Sequence, residues 1–428
     1  MELNRIVQPV FKTIGSLDIP VPQKINLKNG IETYFIKAGT QEVVKIDLVF
    51  NAGSWFQTKP AVASTVNEML LEGTEELSSM EIAEKLDFYG AFIHQRATKD
   101  FGNITLFTLK KHLPATIQLL ADVIKNPIFP EGELTTFLNK KKQIFQVDLE
   151  KVMHIARRES NQQIFGKNHP YGIKTEIEDY DKISRNDILE FHSRYYHSKN
   201  CKIITSGQID DSVINHINEN FGKSEWGNTT YIFKELPKQL TKIKPFSFVP
   251  KNDVAQSAIR LGKQVINRDD SDFYKLEVVN TLLGGYFGSR LMKNIREEKG
   301  YTYGIGSVLV SLKHAAYFII LSEVGSKFTD KAIDEILLEV KKMRSEMVST
   351  EELKLVKNYM LGDLMRSFDG AFEIAANFKN IIELELDINY FHNQMETIRS
   401  ITSEEVMDVA NKYLHEETLV KTIAGKYK

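Results

Sequence analysis

Between residues 32 and 50 two short runs, ETYFI and VVKIDLVF, carry the β-branched and aromatic residues of strands. SSMEIAEKLDFYG then changes period: Ile82 and Leu86 share a helical face, Ser78 and Glu81 have capping-box spacing, and Gly90 supplies a stop. NITLFTL at 103–109 reads as a further strand. ATIQLLADVIKNP sets Ile117, Leu120, Ala121 and Ile124 on one face and ends at Asn126-Pro127, where proline disfavours helix in the residue before it. Strands and helices alternating through hairpin-like and αα connections predict an α+β sandwich.

The pattern occurs twice. ISRNDILEFHSRYY begins at Ile183 and ITSEEVMDVANKYL at Ile401, an offset of 218 (401 − 183). The offset pairs Ser184 with Thr402, Asp187 with Glu405, Ile188 with Val406 and Tyr195 with Tyr413, and still holds at Gly207 and Gly425. A fainter echo pairs Glu133-Leu134 with Glu352-Leu353 at 219 (352 − 133). A repeat this long is no solenoid unit; it predicts two tandem homologous domains, residues 1–230 and 253–428. The segment between them, 231–252, contains Pro237, Pro245 and Pro250 and reads as an extended linker.

Composition narrows the function. The chain has 428 residues, 42% hydrophobic and 26% charged, and a net charge of −2, which gives no reason to expect nucleic acid or an anionic membrane as partner. No run approaches 18 apolar residues, so no transmembrane helix is expected, and the first residues lack the apolar core of a signal peptide. The single cysteine, Cys201, excludes an intrachain disulfide and suits a reducing compartment, with the cytoplasm as the expected location. Its apolar surroundings in NCKIITSG read as a buried strand and not as a nucleophile's.

Residues 64–74, STVNEMLLEGT, carry an apolar run followed by Gly73-Thr74, and this segment resembles the zinc helix of the pitrilysin/insulinase metallopeptidases. There HxxEH puts two zinc ligands and a base on one helical face. Aligned from Gly73-Thr74, the three positions here are Ser64, Asn67 and Glu68: both histidines and the base are missing, and one carboxylate makes no zinc site. The stretch matching the third ligand, FLNKKKQIFQVDLEK, offers Phe145, Gln146 and Asp148, with Glu150 out of register. GGYFGSRLMKNIREEKGYTYGIGS, from Gly284, resembles the family's second signature, whose Arg and Tyr act on substrate; the matching residues are Arg296 and Tyr303. NHPYG at 168–172 is a further element in common.

Each candidate has a plainer reading. The polar side chains at 64, 67 and 68 fit a helix with a solvated face, or a vestigial site still lining a chamber. Arg296 could pair with Glu297 or Glu298 at a helix end, with Tyr303 merely opening a strand. HEETL at His415 has Leu419 where HExxH needs its second histidine, and no metal-ligand spacing survives elsewhere. NKKKQ at 139–143 reads as a solvated helix face, and Gly284, Gly285 and Gly288 as a tight turn.

The resemblance implies two mixed sheets covered by helices, forming half of a clam-shell chamber. It implies a chain that binds no metal and is inactive alone, the zinc-less subunit of a heterodimeric peptidase for unfolded peptides. Zinc would sit in a homologous partner subunit, to whose site Arg296 and Tyr303 would be supplied. The alternative is a structural or scaffolding subunit without a catalytic role.

Overall fold

The computed structural model describes residues 19–228 and 245–427. In the first half, strands β1 (Gln23–Asn26), β2 (Glu32–Lys37), β3 (Val43–Phe50), β4 (Phe92–Ala97), β5 (Gly102–Leu109) and β6 (Cys201–Gly207) form a sheet ordered β1-β2-β6-β3-β5-β4. Only the β2–β6 pair is parallel. Helices α1 (Val62–Glu68), α2 (Ser79–Tyr89), α3 (Leu113–Lys125), α4 (Glu131–Leu149), α5 (Val152–Phe165), α6 (Arg185–Tyr195) and α7 (Asp211–Ile217) accompany it. In the second half, β7 (Phe246–Pro250), β8 (Gln256–Val265), β9 (Thr302–Ser311), β10 (Ala316–Gly325) and β11 (Val420–Gly425) are ordered β7-β11-β8-β10-β9, again with one parallel pair, β7–β11. Its helices are α8 (Phe273–Asn280), α9 (Thr329–Ser345), α10 (Thr350–Arg366), α11 (Ala371–Glu383), α12 (Tyr390–Ser400) and α13 (Ser403–Tyr413).

Apart from β1 the two sheets share one strand order and one set of directions, so the duplication read from the sequence is a duplication of fold. The offset of 218 carries α6 onto α13 and β6 onto β11. The capping box at Ser78 and Glu81 is formed, with Gly90 left-handed after the last turn. Ser184 with Asp187 and Thr402 with Glu405 cap the two repeated helices in the same way. One end of the segment read as linker is structured: Phe246–Pro250 is β7, paired in parallel with β11. Pro250 closes an edge strand, where a missing N–H is tolerated. Residues 231–244 of that segment lie outside the described residues.

Each half has its own core, Ile46, Leu48, Val66, Met69, Ile117 and Ile188 in the first, Leu261, Leu282, Phe318, Ile336 and Val406 in the second. The halves also exchange a helix. α5 packs on β8 and β11 of the other sheet, and α11, one repeat later (371 − 152 = 219), packs on β6 and β2. Arg260 of β8 donates from Nε to Ser160 Oγ of α5 at 2.9 Å. Lys379 of α11 reaches Asp47 of β3 at 3.2 Å, where Lys45 at 2.8 Å and the Thr105 hydroxyl at 2.6 Å also bind. The equivalent hairpin turns meet at NHPYG. The buried Tyr171 hydroxyl donates to Asp100 between β4 and β5. It accepts from the His314 backbone N–H between β9 and β10 at 3.2 Å, while the Lys313 N–H reaches Asp100 at 3.0 Å. The two halves together make half of a clam shell.

Candidate functional site

The helix α1 presents its three motif positions in three different ways. Ser64 is half-buried and its hydroxyl donates to the Ala61 carbonyl at 3.0 Å, a bond within the helix. Asn67 is fully buried: its Nδ2 donates to the Tyr196 hydroxyl at 3.1 Å and approaches the Asn103 carbonyl at 3.4 Å. Its Oδ1 has no partner among the described residues. Glu68 pairs with Lys141 of α4 at 2.5 Å, and that ammonium also lies 5.2 Å from the Phe137 ring. The solvated-face reading is therefore corrected at Asn67, which packs inward against Tyr196 because an amide beside a tyrosine hydroxyl and a strand carbonyl satisfies its donors without water. NKKKQ, also read as solvated, gives up Lys141 to this ion pair and Lys142 to Asp181 at 2.7 Å.

Zinc does not fit these residues. A tetrahedral zinc site is built on neutral imidazoles or thiolates, alone or with a carboxylate. Glu68 is the one anionic group among the three, and a lysine already neutralises it. Downstream, Asp148 is held by Lys151 at 2.8 Å and Glu150 by Lys251 at 2.7 Å, and Phe145 is buried against Tyr180. Among the described residues no three His, Cys, Asp or Glu side chains cluster as a ligand set. His192 is enclosed, its Nε2 2.8 Å from the Ile124 carbonyl, and burial pushes it down to about 4. His415 lies 3.4 Å from Glu417. Cys201 is buried in β6, where burial pushes its thiol up.

Arg296 and Tyr303 are brought together. A π-helical stretch, Met292–Glu298, carries Arg296, and Gly300, at φ +64°, turns the chain into β9. The β9–β10 register slips between Ser322 and Val324, so Tyr303 and Gly304 both stand off the buried face between Thr302 and Ile305. Such a bulge re-aims a side chain. It is held by the Ser322 hydroxyl, which donates to the Gly304 carbonyl at 2.9 Å, and by the Thr302 hydroxyl donating to the Glu323 carbonyl at 2.5 Å. Tyr303 is consequently 92% exposed. Arg296 donates from Nε to the Tyr303 carbonyl at 3.1 Å and lies over the exposed Phe287 ring at 4.7 Å. Ion pairing of Arg296 with Glu297 or Glu298, the plainer reading, is not formed among the described residues. Both side chains border an open cavity of about 520 Å³, with Gln256, Tyr301 and Phe328 on its wall. A guanidinium with free donors beside an exposed phenol can bind a carbonyl or carboxylate and donate to an oxyanion.

A fold of two copied halves, a metal helix without its metal ligands, and an edge-strand Tyr303 beside the helical Arg296 define a zinc-peptidase relative. The comparisons give the family. Residues 34–172 match the model described as insulinase (peptidase family M16), and residues 182–360 match the peptidase M16 inactive domain. The chain belongs to the M16 family, and the helix Val62–Glu68, within the insulinase match, has Ser64, Asn67 and Glu68 at the three motif positions. It is 24% identical to the "uncharacterized zinc protease YmxG" of Bacillus subtilis over 84% of this chain and 87% of that one. It is 23% identical to the "non-peptidase homolog YmxG" of Helicobacter pylori, over 90% and 89%. The M16 inactive-domain structure from Pseudomonas fluorescens superposes with a TM-score of 0.83 at 22% identity, covering 95% of this chain and 98% of that one. The periplasmic protease PqqL of Escherichia coli superposes at 0.78 with 14% identity, covering 99% of this chain but 49% of PqqL.

Proposed function

We propose that this chain is the zinc-less subunit of a two-chain peptidase for unfolded peptides, acting with a homologous subunit that holds the zinc. The observation that carries the reading is the exposed phenol of Tyr303, set by a bulge beside Arg296 on the edge strand β9. Among the described residues the Tyr303 hydroxyl makes no hydrogen bond, and the side chain stands in solvent. An unpaired strand edge can take an extended peptide by backbone hydrogen bonding, largely blind to sequence. Arg296 would hold the peptide and Tyr303 would donate to the oxyanion developing at the scissile carbonyl, with zinc held by the partner supplying the Lewis acid. That this chain spans about half of PqqL supports a complete chamber built from two such units. The cytoplasm is the location this reading takes, since the lone, buried Cys201 asks for no disulfide.

A scaffolding role has one observation in its favour. Arg296 spends its Nε on the Tyr303 backbone and stacks on Phe287, which is structural work. The experiment is reconstitution with the zinc-bearing homologue and measurement of peptide hydrolysis. Tyr303→Phe should lower turnover by roughly 10²-fold, as loss of one oxyanion donor does, with complex formation unchanged. Arg296→Ala should weaken both binding and turnover. Wild-type rates from both variants in an intact complex would leave scaffolding as the function.

A further inference from the structure

In the second half, a cavity of about 300 Å³ lies among α8, α10, α11 and α12, away from Arg296 and Tyr303. Its wall contains three acidic or basic side chains: Asp363, held by Arg366 at 2.6 Å, and Arg268 and Glu277, which do not meet. Arg268, just before α8, and Glu277, on α8, form no ion pair within 4 Å; burial raises the Glu277 carboxyl, and the nearby Arg268 guanidinium offsets that rise only in part. The Arg268 guanidinium stacks between Tyr390 at 5.6 Å and Phe273 at 5.9 Å, and its buried Nε has no hydrogen-bond partner among the described residues.

The polar groups around the gap are also incomplete. Gln394 donates from Nε2 to Glu277 at 2.8 Å, which leaves its Oε1 buried and unpartnered. The hydroxyl of Tyr390, a residue only 3% exposed, lies on the same wall and reaches toward Glu277. Buried polar atoms in native proteins are nearly always satisfied, by protein or by something bound. Here a cationic donor, a carboxylate, an amide oxygen and a phenol converge on one void. At its mouth stands Tyr359, half exposed and 4.9 Å from the Tyr286 ring.

The charges select the occupant. An inorganic anion would satisfy Arg268 and face Glu277; a metal cation would do the reverse. Water could complete the hydrogen bonds but would leave both charges short of a counter-ion. We propose that this cavity binds a free α-amino acid, its carboxylate on Arg268 and its ammonium on Glu277, Gln394 Oε1 and the Tyr390 hydroxyl. The site is separate from the Arg/Tyr pair, and the inference stands whether or not the chain serves a peptidase.

The test is calorimetric titration of the full chain with L-alanine, N-acetyl-L-alanine and L-alanine amide. Saturable one-to-one binding of alanine is expected, with each single-charge analogue weaker by about tenfold or more. Arg268→Gln and Glu277→Gln should each weaken alanine by a similar factor while circular dichroism stays native. If either fails to fold, Tyr390→Phe, which removes one hydroxyl, should weaken alanine a few-fold. Absence of saturable heat with the folded chain would mean a water-filled cavity and overturn the proposal. Equal binding of an analogue, or alanine affinity indifferent to all three variants, would overturn it equally.

Discussion

At the scale of single residues, the remains of the zinc helix have been rebuilt into structure. The family motif needs a carboxylate where Asn67 stands, and here that position is sealed against Tyr196 and the backbone of β5. Restoring the carboxylate by Asn67→Glu would bury a charge with no cation in contact. The expected loss is roughly 2–5 kcal/mol of stability, read as a lower midpoint in urea with the slope unchanged. An unchanged midpoint would mean that the position opens to water. The triple change Ser64→His, Asn67→Glu and Glu68→His should still bind no stoichiometric zinc by metal analysis, because Lys141 places its ammonium beside the motif. The absence of ligands was legible in the sequence, since identity at fixed helical spacing decides it. The inward turn of Asn67 was not, because Tyr196 is 129 residues away and no local pattern announces that contact.

At the scale of elements, periodicity did well where an element answers to its own residues. The strands at 32–37 and 43–50, the capped helix at 79–89 and the helix ending before Asn126-Pro127 all stand where the pattern puts them. β7 was hidden because an edge strand rich in proline neighbours looks like a linker until its partner β11, about 170 residues on, is known. The helix α11 was equally hidden in its role: an apolar face does not say which sheet it covers. Its last residue, Glu383, sits over the first sheet, where burial raises its carboxyl to about 7 against the pull of Lys379, with Asp47 and Asp100 adding to the rise. A raised acid stabilises the fold while protonated. That contribution is complete below the unfolded value of 4.5 and is lost as the pH climbs through 7. Glu383→Gln should remove this dependence, gaining up to about 3 kcal/mol relative to wild type between pH 4 and pH 8. His192, pushed down to about 4, acts with the opposite sign, losing stability as the pH falls from 6.5. Subtracting wild-type from variant urea midpoints at each pH cancels it. Parallel profiles would show that Glu383 ionises normally.

At the scale of the whole molecule, the repeat told how many copies of the fold to expect but not how they are joined. Two homologous domains connected by a linker would ordinarily fold as separate units. These halves instead clasp each other. α11 covers β2 and β6, where Ile374, Phe378 and Ile381 share one apolar cluster with Ile36 and Ile204 of the first sheet, while α5 lies on β8 and β11. Either half alone would therefore expose a sheet face and carry a helix with no sheet to cover, and apolar patches of that kind drive association. Fragments 1–236 and 237–428, expressed singly, should aggregate or bind a hydrophobic dye, whereas co-expressed they should purify together and melt in one transition. A sharp, cooperative melt from either fragment as a soluble monomer would show that the exchanged helices are dispensable. The arrangement bears on the proposed function as well. Tyr171 ties the turn after β4 to the turn after β9, so the edge strand that carries Tyr303 is braced by the first half. Tyr171→Phe removes that brace, losing the bonds to Asp100 and His314 without emptying the site. It should cost about 1–3 kcal/mol as a buried acceptor is left unpaired, read as a lower midpoint of the one melting transition that the two halves share.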